Sequence, residues 1–193
     1  MEGQSSLPST NTGTGAAIFQ NPWIKSRSSQ LWPGKVECAG ASTIPHATLA
    51  EFTLNGDQSL HFYVVSLVDG YNLPMLIVAE GGTRGGCSAT GCLIDLNGAC
   101  PKVLSMFRLN GSWAHGVACK SACEAFGDPV YCCNEAYNTP DTCYPSAYSL
   151  YFKHACPRSY SYVYDDKTST FTCASTDYII IFCPLPYKGF GKL

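Results

Sequence analysis

The stretch CSATGCLIDLNGACP at residues 87–101 is the most informative about the fold, because a region crowded with cysteine begins there. Nine of the chain's 12 cysteines lie between Cys87 and Cys156, with ACKSACEAF at 118–126 and YCC at 131–133 among them. Cysteines this dense, set among glycines and prolines, are typical of a loop-rich region held by disulfides. The even total suits a fully oxidised chain, which would fold in the secretory pathway.

Short runs rich in Val, Ile, Phe, Tyr and Thr flank this region on both sides and predict strands. The predicted strands cover 47–54, 60–68, 75–80, 159–164, 169–173 and 177–183. Within the cysteine-rich region, two helices are predicted at 116–126 and 145–156. Strands on both flanks indicate that the cysteine-rich region is an insertion closing back onto one sandwich.

The N-terminal 33 residues and the overall charge limit the compartments and the binding partners that are possible for this chain. Residues 1–33 are rich in Ser, Thr, Gly and Asn, which predicts a flexible extension, and they show no apolar signal-peptide core. Either the start is misassigned, or the product stays inside the cell with free thiols. The net charge of −2 and pI of about 6.0 exclude general attraction to nucleic acid, and no apolar run of membrane-spanning length occurs.

Seven ordered segments resemble the thaumatin-like family of plant pathogenesis-related proteins and together cover about residues 35–184. They are ATLAEFTLNG, VSLVDGYNLPM, CSATGCLIDLNGACP, ACKSACEAF, YCC, TPDTCYPSAYSLYFKHACP and SYSYVYDDKTSTFTC. The resemblance implies a mainly β fold, an antiparallel β-sandwich incomplete on its N-terminal side with a disulfide-rich loop and helix region. The expected units are a non-family extension (1–33), a remnant of a small loop domain (34–45), the sandwich (46–93 and 158–193) and the disulfide-rich region (94–157).

The family's disulfide pattern can be carried onto ten of the cysteines. The resemblance implies the pairs Cys87–Cys173, Cys92–Cys156, Cys100–Cys119, Cys123–Cys132 and Cys133–Cys143. Cys38 and Cys183 match family positions whose partners lie upstream, so both are expected to be unpaired or mispaired with each other. The family strands missing upstream should leave open sheet edges, which the N-terminal extension could cover in part.

An acidic cleft is the family's implied binding site. Glu51, Asp69 and Asp165 match three of its four acidic positions, while Val64 stands where the family usually has Asp and the family arginine has no counterpart. Phe52 and Tyr71 are predicted to offer stacking faces beside these carboxylates. The alternative interpretation gives these residues structural roles. Glu51 would be a surface strand residue, Asp69 a turn residue and Asp165 a loop residue, while Phe52 and Tyr71 would belong to the core.

The resemblance implies defence against fungi by binding β-1,3-glucan or another component of the microbial surface, without a cofactor. One alternative is a weak endo-β-1,3-glucanase with Glu51 as the acid and Asp69 or Asp165 as its partner, since glycosidases need two carboxylates. Another is a truncated, inactive family member. The resemblance also implies a monomer located in the apoplast or the vacuole.

Four further patterns carry weaker hypotheses. His115, Cys119 and Cys123 recur every four residues as zinc ligands would, but the family register assigns both cysteines to bridges, so no metal is expected. The glycine-rich loop at 81–86 is interpreted as a turn, not a phosphate site. Nothing local would orient His46 or His154 as a base for a cysteine nucleophile. Asn110 in NGS is a predicted N-glycosylation site.

Overall fold

The computed structural model describes residues 3–7, 14–18, 46–110 and 113–184. The strands are β1 (Gly3–Leu7), β2 (Thr14–Ile18), β3 (Leu49–Thr53), β4 (His61–Ser66), β5 (Met75–Glu80), β6 (Arg84–Gly85), β7 (Thr90–Cys92), β8 (Ser105–Asn110), β9 (Trp113–Cys119), β10 (Phe171–Ala174) and β11 (Asp177–Phe182). The helices are α1 (Ala122–Phe126), α2 (Pro129–Cys132), α3 (Ala147–Ala155) and α4 (Asp166–Ser169). None of these described helices is long and apolar enough to cross a bilayer.

Two antiparallel sheets form a sandwich, which confirms the predicted fold class. One sheet has the order β1-β11-β5-β7 and the other the order β2-β3-β4-β10-β6, while β8 and β9 form a separate hairpin. The last strands return to the first: β11 pairs with β5 from Asp177 opposite Glu80 to Phe182 opposite Met75, and β10 pairs with β4. The cysteine-rich segment therefore leaves the sandwich after β7 and the chain comes back to it at β10.

Alternating side chains from both sheets fill the space between them. Residues of β3 alternate so that Ala50 and Phe52 are buried in this core, while Glu51 lies on the opposite face of the sheet. The ring of Tyr178 from the facing sheet lies 5.0 Å from Phe52 and 4.9 Å from Tyr63, between ring centroids. Such tilted aromatic contacts add to the hydrophobic energy of the core.

A second core attaches the disulfide-rich region to the end of the sandwich. Its buried members are Leu67, Tyr71, Cys92, Leu96, Leu104, Cys119, Phe152 and Cys156. They come from the sandwich end, the hairpin and α3, so three parts of the chain share one apolar interior. The isolated bridge between Tyr71 and Cys119, with N–O distances of 2.8 Å in both directions, fixes their register.

The N-terminal segment differs from its prediction as a flexible extension. Within 1–33, β1 pairs antiparallel with β11 and β2 pairs with β3. These pairings cover the outer edges of β11 and β3, where the sequence predicted open edges. The physical reason is that an exposed edge offers unpaired backbone groups to any segment able to extend. Residues 34–45, the predicted remnant of a loop domain, lie outside the described residues.

All five predicted disulfides are present: Cys87–Cys173, Cys92–Cys156, Cys100–Cys119, Cys123–Cys132 and Cys133–Cys143. Cys183 is a free, exposed thiol, as expected from its missing partner. Cys38 lies outside the described residues. The bridges range in sequence separation from 9 to 86 residues, so both local and long-range segments are constrained.

Two predicted elements are wrong in part. The helix predicted at 116–126 begins only at Ala122, because residues up to Cys119 pair with β8 and the Ser121 side chain then accepts a hydrogen bond from the Glu124 N–H, capping α1. The strand predicted at 159–164 is reduced to one bridge between Ser66 and Tyr160. The following residues form a turn before α4 instead of extending that pairing.

Candidate functional site

A pocket of about 370 Å³ lies where the end of β4 meets the disulfide-rich region. One side is the turn at Val68 and Asp69, and the other comprises α1, α2 and the start of α3. Lining residues are Val68, Asp69, Ser121, Ala122, Cys123, Glu124, Val130, Tyr131, Cys132, Cys133, Cys143, Tyr144, Ser146, Ser149, Phe152, Ser161, Tyr162 and Val163. The walls are mainly apolar, with carboxylates and hydroxyls at a few points, which is the usual make-up of a small-ligand site.

The turn that carries Asp69 has little conformational freedom. Gly70 has φ +93°, and a Cβ there would lie 2.6 Å from the Cys119 carbonyl oxygen, so a side chain at this position is excluded. The Gly70 N–H donates to Leu67 O at 3.0 Å, and the His46 N–H donates to Asp69 O at 2.9 Å. The backbone at Asp69 is therefore fixed from both sides, which positions this predicted carboxylate at the pocket.

Two short helices build the facing wall. Gly127 adopts the left-handed conformation that ends α1, and Asp128 caps α2, with its side chain accepting from the Val130 N–H. Glu124 of α1 forms an ion pair with His46, which precedes β3. Glu124 thus adds a second carboxylate to the pocket that the sequence analysis missed, because an acidic residue in the first turn of a helix is also an ordinary helix-stabilising feature.

Tyrosines supply the aromatic surface of the pocket. Tyr131 comes from α2, Tyr144 precedes α3, and Tyr162 lies in the loop before α4. Tyr144 is 70% exposed, yet its hydroxyl donates to Asp141 O at 2.7 Å, so a ring open to solvent is held in place. Burial, followed by the charges of Asp165 and Asp166, raises the pKa of Tyr162.

Glu51 lies outside the pocket lining but is coupled to it by charge. On β3 it is half-buried and directly opposite Val64 on β4, the position where a second acid was expected by resemblance. Burial is the larger cause that raises the pKa of Glu51, and the negative charge of Asp69 adds to it. Two predicted cleft carboxylates are therefore electrostatic neighbours, although only one of them lines the cavity.

Asp165 has a structural role in this geometry. Its carboxylate accepts hydrogen bonds from Ser161 N at 3.0 Å and Ser161 Oγ at 2.9 Å, and Thr168 Oγ1 donates to its other oxygen at 3.0 Å. Lys153 Nζ of α3 forms an ion pair with it at 3.0 Å. Because four donors converge on one carboxylate that does not line the pocket, this site shapes the loop that carries Tyr162.

Phe52 and Tyr71, predicted as stacking faces, are core residues, and that prediction is wrong. Phe52 is 4% exposed between the two sheets, and Tyr71 is fully buried in the second core. The Tyr71 hydroxyl donates to Ile94 O at 2.9 Å, so even its polar end is used internally. Their rings are apolar enough to be drawn inside, whereas the accessible rings belong to the disulfide-rich region.

The remaining sequence hypotheses have simple outcomes. No group of three potential metal ligands occurs among the described residues, and Cys119 and Cys123 are both in disulfides while His115 is exposed. The glycine-rich loop at 81–86 contains β6 and ends at a bridged cysteine. Asn110 ends β8 opposite Trp113 at the tip of the hairpin, and its glycosylation stays a prediction.

The raised pKa of Glu51 predicts a specific pH dependence of stability. When a carboxyl group has a higher pKa in the folded than in the unfolded state, the protein loses stability as pH rises from the unfolded pKa through the folded pKa. Glu51→Gln is therefore expected to raise the free energy of unfolding at neutral pH relative to wild type. Urea unfolding at several pH values should show that difference shrinking towards zero below pH 4.5, the ordinary Glu value. Glu80→Gln, at the exposed end of β5, is the matched control, and a pH-independent difference for Glu51→Gln would contradict the assignment.

Sequence comparison identifies the protein class that this sandwich and pocket define. The model of the thaumatin family matches residues 28–184, and the chain belongs to that family. The match begins five residues before position 33, the predicted end of the N-terminal extension, and the domain division stays a prediction.

Known relatives are plant proteins. Thaumatin-like protein 1 of Arabidopsis thaliana is 56% identical over 155 residues, covering 78% of this chain and 57% of the relative. Pathogenesis-related thaumatin-like protein 3.5 of Cryptomeria japonica is 55% identical, covering 77% and 59%, and thaumatin-like protein 1b of Malus domestica is 49% identical, covering 78% and 70%. The chain thus spans less than two thirds of the length of the first two relatives.

Proposed function

We propose that this protein is a plant defence protein that acts against fungi by binding β-1,3-glucan or a related component of the microbial surface. Membership of the thaumatin family and the pathogenesis-related names of relatives support the defence role. The observation that carries the binding role is the pocket of about 370 Å³ between the sandwich and the disulfide-rich region.

The chemistry of the pocket suits a neutral sugar. Tyr144 and Tyr131 offer ring faces against which the apolar face of a pyranose packs, and the carboxylates of Asp69 and Glu124 can accept hydrogen bonds from sugar hydroxyls. A volume of this size lies at the lower end of ordinary ligand pockets and accommodates a short stretch of a polysaccharide, not a folded partner. The apolar walls add affinity, and the few polar groups fix orientation.

An extracellular or vacuolar location follows from the same proposal. Five disulfides are formed and kept only in an oxidising compartment, since cytosolic thiol pools reduce such bridges. Glucan of a fungal wall would be met in the apoplast, in agreement with that requirement. A monomer suffices for this role, because the pocket is built from one chain.

A weak endo-β-1,3-glucanase is the second candidate, and the raised pKa of Glu51 favours it. A general acid must hold its proton near neutral pH, and burial together with the charge of Asp69 moves Glu51 in that direction. Asp69 would be the ionised partner. The position of Glu51 argues against a glucanase, because Glu51 is not among the residues that line the pocket.

Binding and hydrolysis are separated by one paired experiment. Retention on curdlan or laminarin is measured together with release of reducing sugar, for wild type and for Glu51→Gln. We expect retention without reducing sugar, and equal retention of the variant. Sugar release that disappears in Glu51→Gln would establish the glucanase instead. Absence of both retention and release would overturn the proposed function and support an inactive form of the family.

A further inference from the structure

We infer that the Cys123–Cys132 disulfide is a reducible latch on the pocket, so that a dithiol reductant opens the binding site while leaving the sandwich folded. Its effect on sugar binding rests on the proposed function. The latch itself is a property of the α1–α2 wall and can be tested without any sugar.

The wall depends on this bridge because its helices are too short to persist alone. Helix α1 has five residues and α2 has four, whereas isolated helices need more than a dozen residues to be marginally stable in water. The bridge joins Cys123 near the start of α1 to Cys132 at the end of α2, so it closes the whole unit. Seven pocket-lining residues, Ala122 to Glu124 and Val130 to Cys133, belong to this closed segment or adjoin it.

Solvent exposure distinguishes Cys123–Cys132 from the other four disulfides among the described residues. Both Cys123 and Cys132 are partly exposed. Each of the other four bridges has at least one buried cysteine. One cysteine is buried in Cys87–Cys173 and in Cys100–Cys119, namely Cys173 and Cys119. Both cysteines are buried in Cys92–Cys156 and in Cys133–Cys143. Thiol–disulfide exchange requires a thiolate to approach a bridge sulfur directly, so burial slows it. Cys123–Cys132, called the pocket bridge below, is therefore the one expected to react first.

Opening this bridge leaves the rest of the fold constrained. Cys123 and Cys132 are only nine residues apart, whereas Cys87–Cys173 and Cys92–Cys156 close loops of 86 and 64 residues. The entropy that a bridge removes from the unfolded chain grows with the length of its loop, so Cys123–Cys132, like Cys133–Cys143 with its separation of 10, contributes less to global stability than the two long-range bridges. Reduction there removes local order at little cost to the sandwich.

The reaction is balanced by the reductant. One thiolate of a dithiol attacks a sulfur of the bridge and forms a mixed disulfide, releasing the other cysteine as a thiolate that takes up a proton. The second thiol of the reductant then displaces the first cysteine and closes the reductant's own disulfide. Two electrons and two protons pass from the dithiol to the protein.

Contacts other than the bridge limit how far the wall opens. In the oxidised protein Glu124 pairs with His46, and the Phe126 ring lies 5.5 Å from Tyr131 and 5.3 Å from Tyr148. Reduction loosens these contacts without releasing the segment from the frame. Cys133, bridged to Cys143, still anchors the end of α2. The expected open state is therefore a locally mobile segment 123–132 on an intact frame, not an unfolded region.

The test is stepwise reduction of the whole oxidised chain with dithiothreitol under native conditions. Free thiols are alkylated at each step and mapped by mass spectrometry, and amide hydrogen exchange is followed in the same samples. We expect Cys123 and Cys132 to be labelled first, with exchange at 123–132 accelerating about tenfold or more while β4, β5 and β11 stay protected. First labelling of another bridge, simultaneous opening of all five, or unchanged exchange after the pocket bridge opens would each overturn the inference.

Two double variants test whether the latch depends on disulfide shuffling and whether it can be distinguished from the proposed function. Cys38→Ser with Cys183→Ser removes the two cysteines that take part in none of the five bridges, and the order of reduction should be unchanged in that background. Cys123→Ser with Cys132→Ser should bind laminarin about tenfold more weakly than that background, while the amide protection of β4, β5 and β11 stays unchanged. If the oxidised chain fails to bind laminarin, the proposed function falls, while labelling order and hydrogen exchange still decide whether the latch exists.

Discussion

Replacing Cys87 and Cys173 together by serine is expected to lower the free energy of unfolding by about 4.5 kcal/mol. The bridge closes a loop of 86 residues, for which the chain-entropy relation gives that magnitude. Cys173 is fully buried on β10 in the core between the sheets, while Cys87 follows β6. The bridge thus holds the returning strands to the sheet that precedes the insertion. Denaturant unfolding of the oxidised proteins, without reductant, measures the difference.

The nine-residue bridge provides the matched comparison. Cys123→Ser with Cys132→Ser should lower the free energy of unfolding by about 2.5 kcal/mol from the same relation. The two double variants remove the same number of sulfurs and differ mainly in loop length and position. A larger loss for the pocket bridge than for Cys87–Cys173 would show that the disulfide-rich region, and not the sandwich, dominates stability.

Phe152→Ala is expected to cost about 3–5 kcal/mol, the range for truncating a buried phenylalanine. Phe152 of α3 is 1% exposed, belongs to the second core and also lines the pocket. Removing its ring leaves a cavity between α3 and the sandwich end, in a region where disulfides limit collapse. Thermal and denaturant unfolding measure the loss, and laminarin retention should fall as well because the floor of the pocket is lost.

Leu150→Ala on the same helix is the control. Leu150 is 42% exposed, two residues before Phe152, so its truncation should change stability by less than about 1 kcal/mol. Both substitutions place alanine, a good helix former, in α3, so helix propensity does not distinguish them. Equal losses for the two variants would contradict the assignment of Phe152 to the second core.

The sandwich and its bridges were predictable because their signals are local and ordered. The strands at 75–80 and 177–183 show as runs of β-branched and aromatic residues, and the structure has them at Met75–Glu80 and Asp177–Phe182. The five bridges followed from cysteines in register with a known family. By contrast, the chain at 116–119 became strand because β8 pairs with it, and pairing partners distant in sequence are invisible to a local pattern.

The candidate site was predictable only in part. Asp69 was found because the resemblance assigns it to the acidic cleft, whereas Glu124 and Tyr144 lie in family-like segments to which the resemblance assigned no binding role, and their place at the pocket is visible only in the structure. Phe52 and Tyr71 were misassigned because sequence gives no measure of which aromatic ring a core will take. Asp165 was matched to a family position by resemblance, and its four donors are visible only once the loop and α3 are placed together.

The most direct test of the pocket as a glucan site is calorimetric titration of a linear β-1,3-gluco-oligosaccharide into wild type and Tyr144→Ala. Tyr144 is 70% exposed, so its truncation should leave stability unchanged while removing a sugar-stacking face. We predict about tenfold weaker binding, equivalent to about 1.4 kcal/mol. Tyr137→Ala, at the end of the exposed 3-10 helix Glu135–Tyr137 and outside the pocket lining, is the unaffected control. Equal affinities of wild type and Tyr144→Ala, or no binding by wild type, would contradict the account.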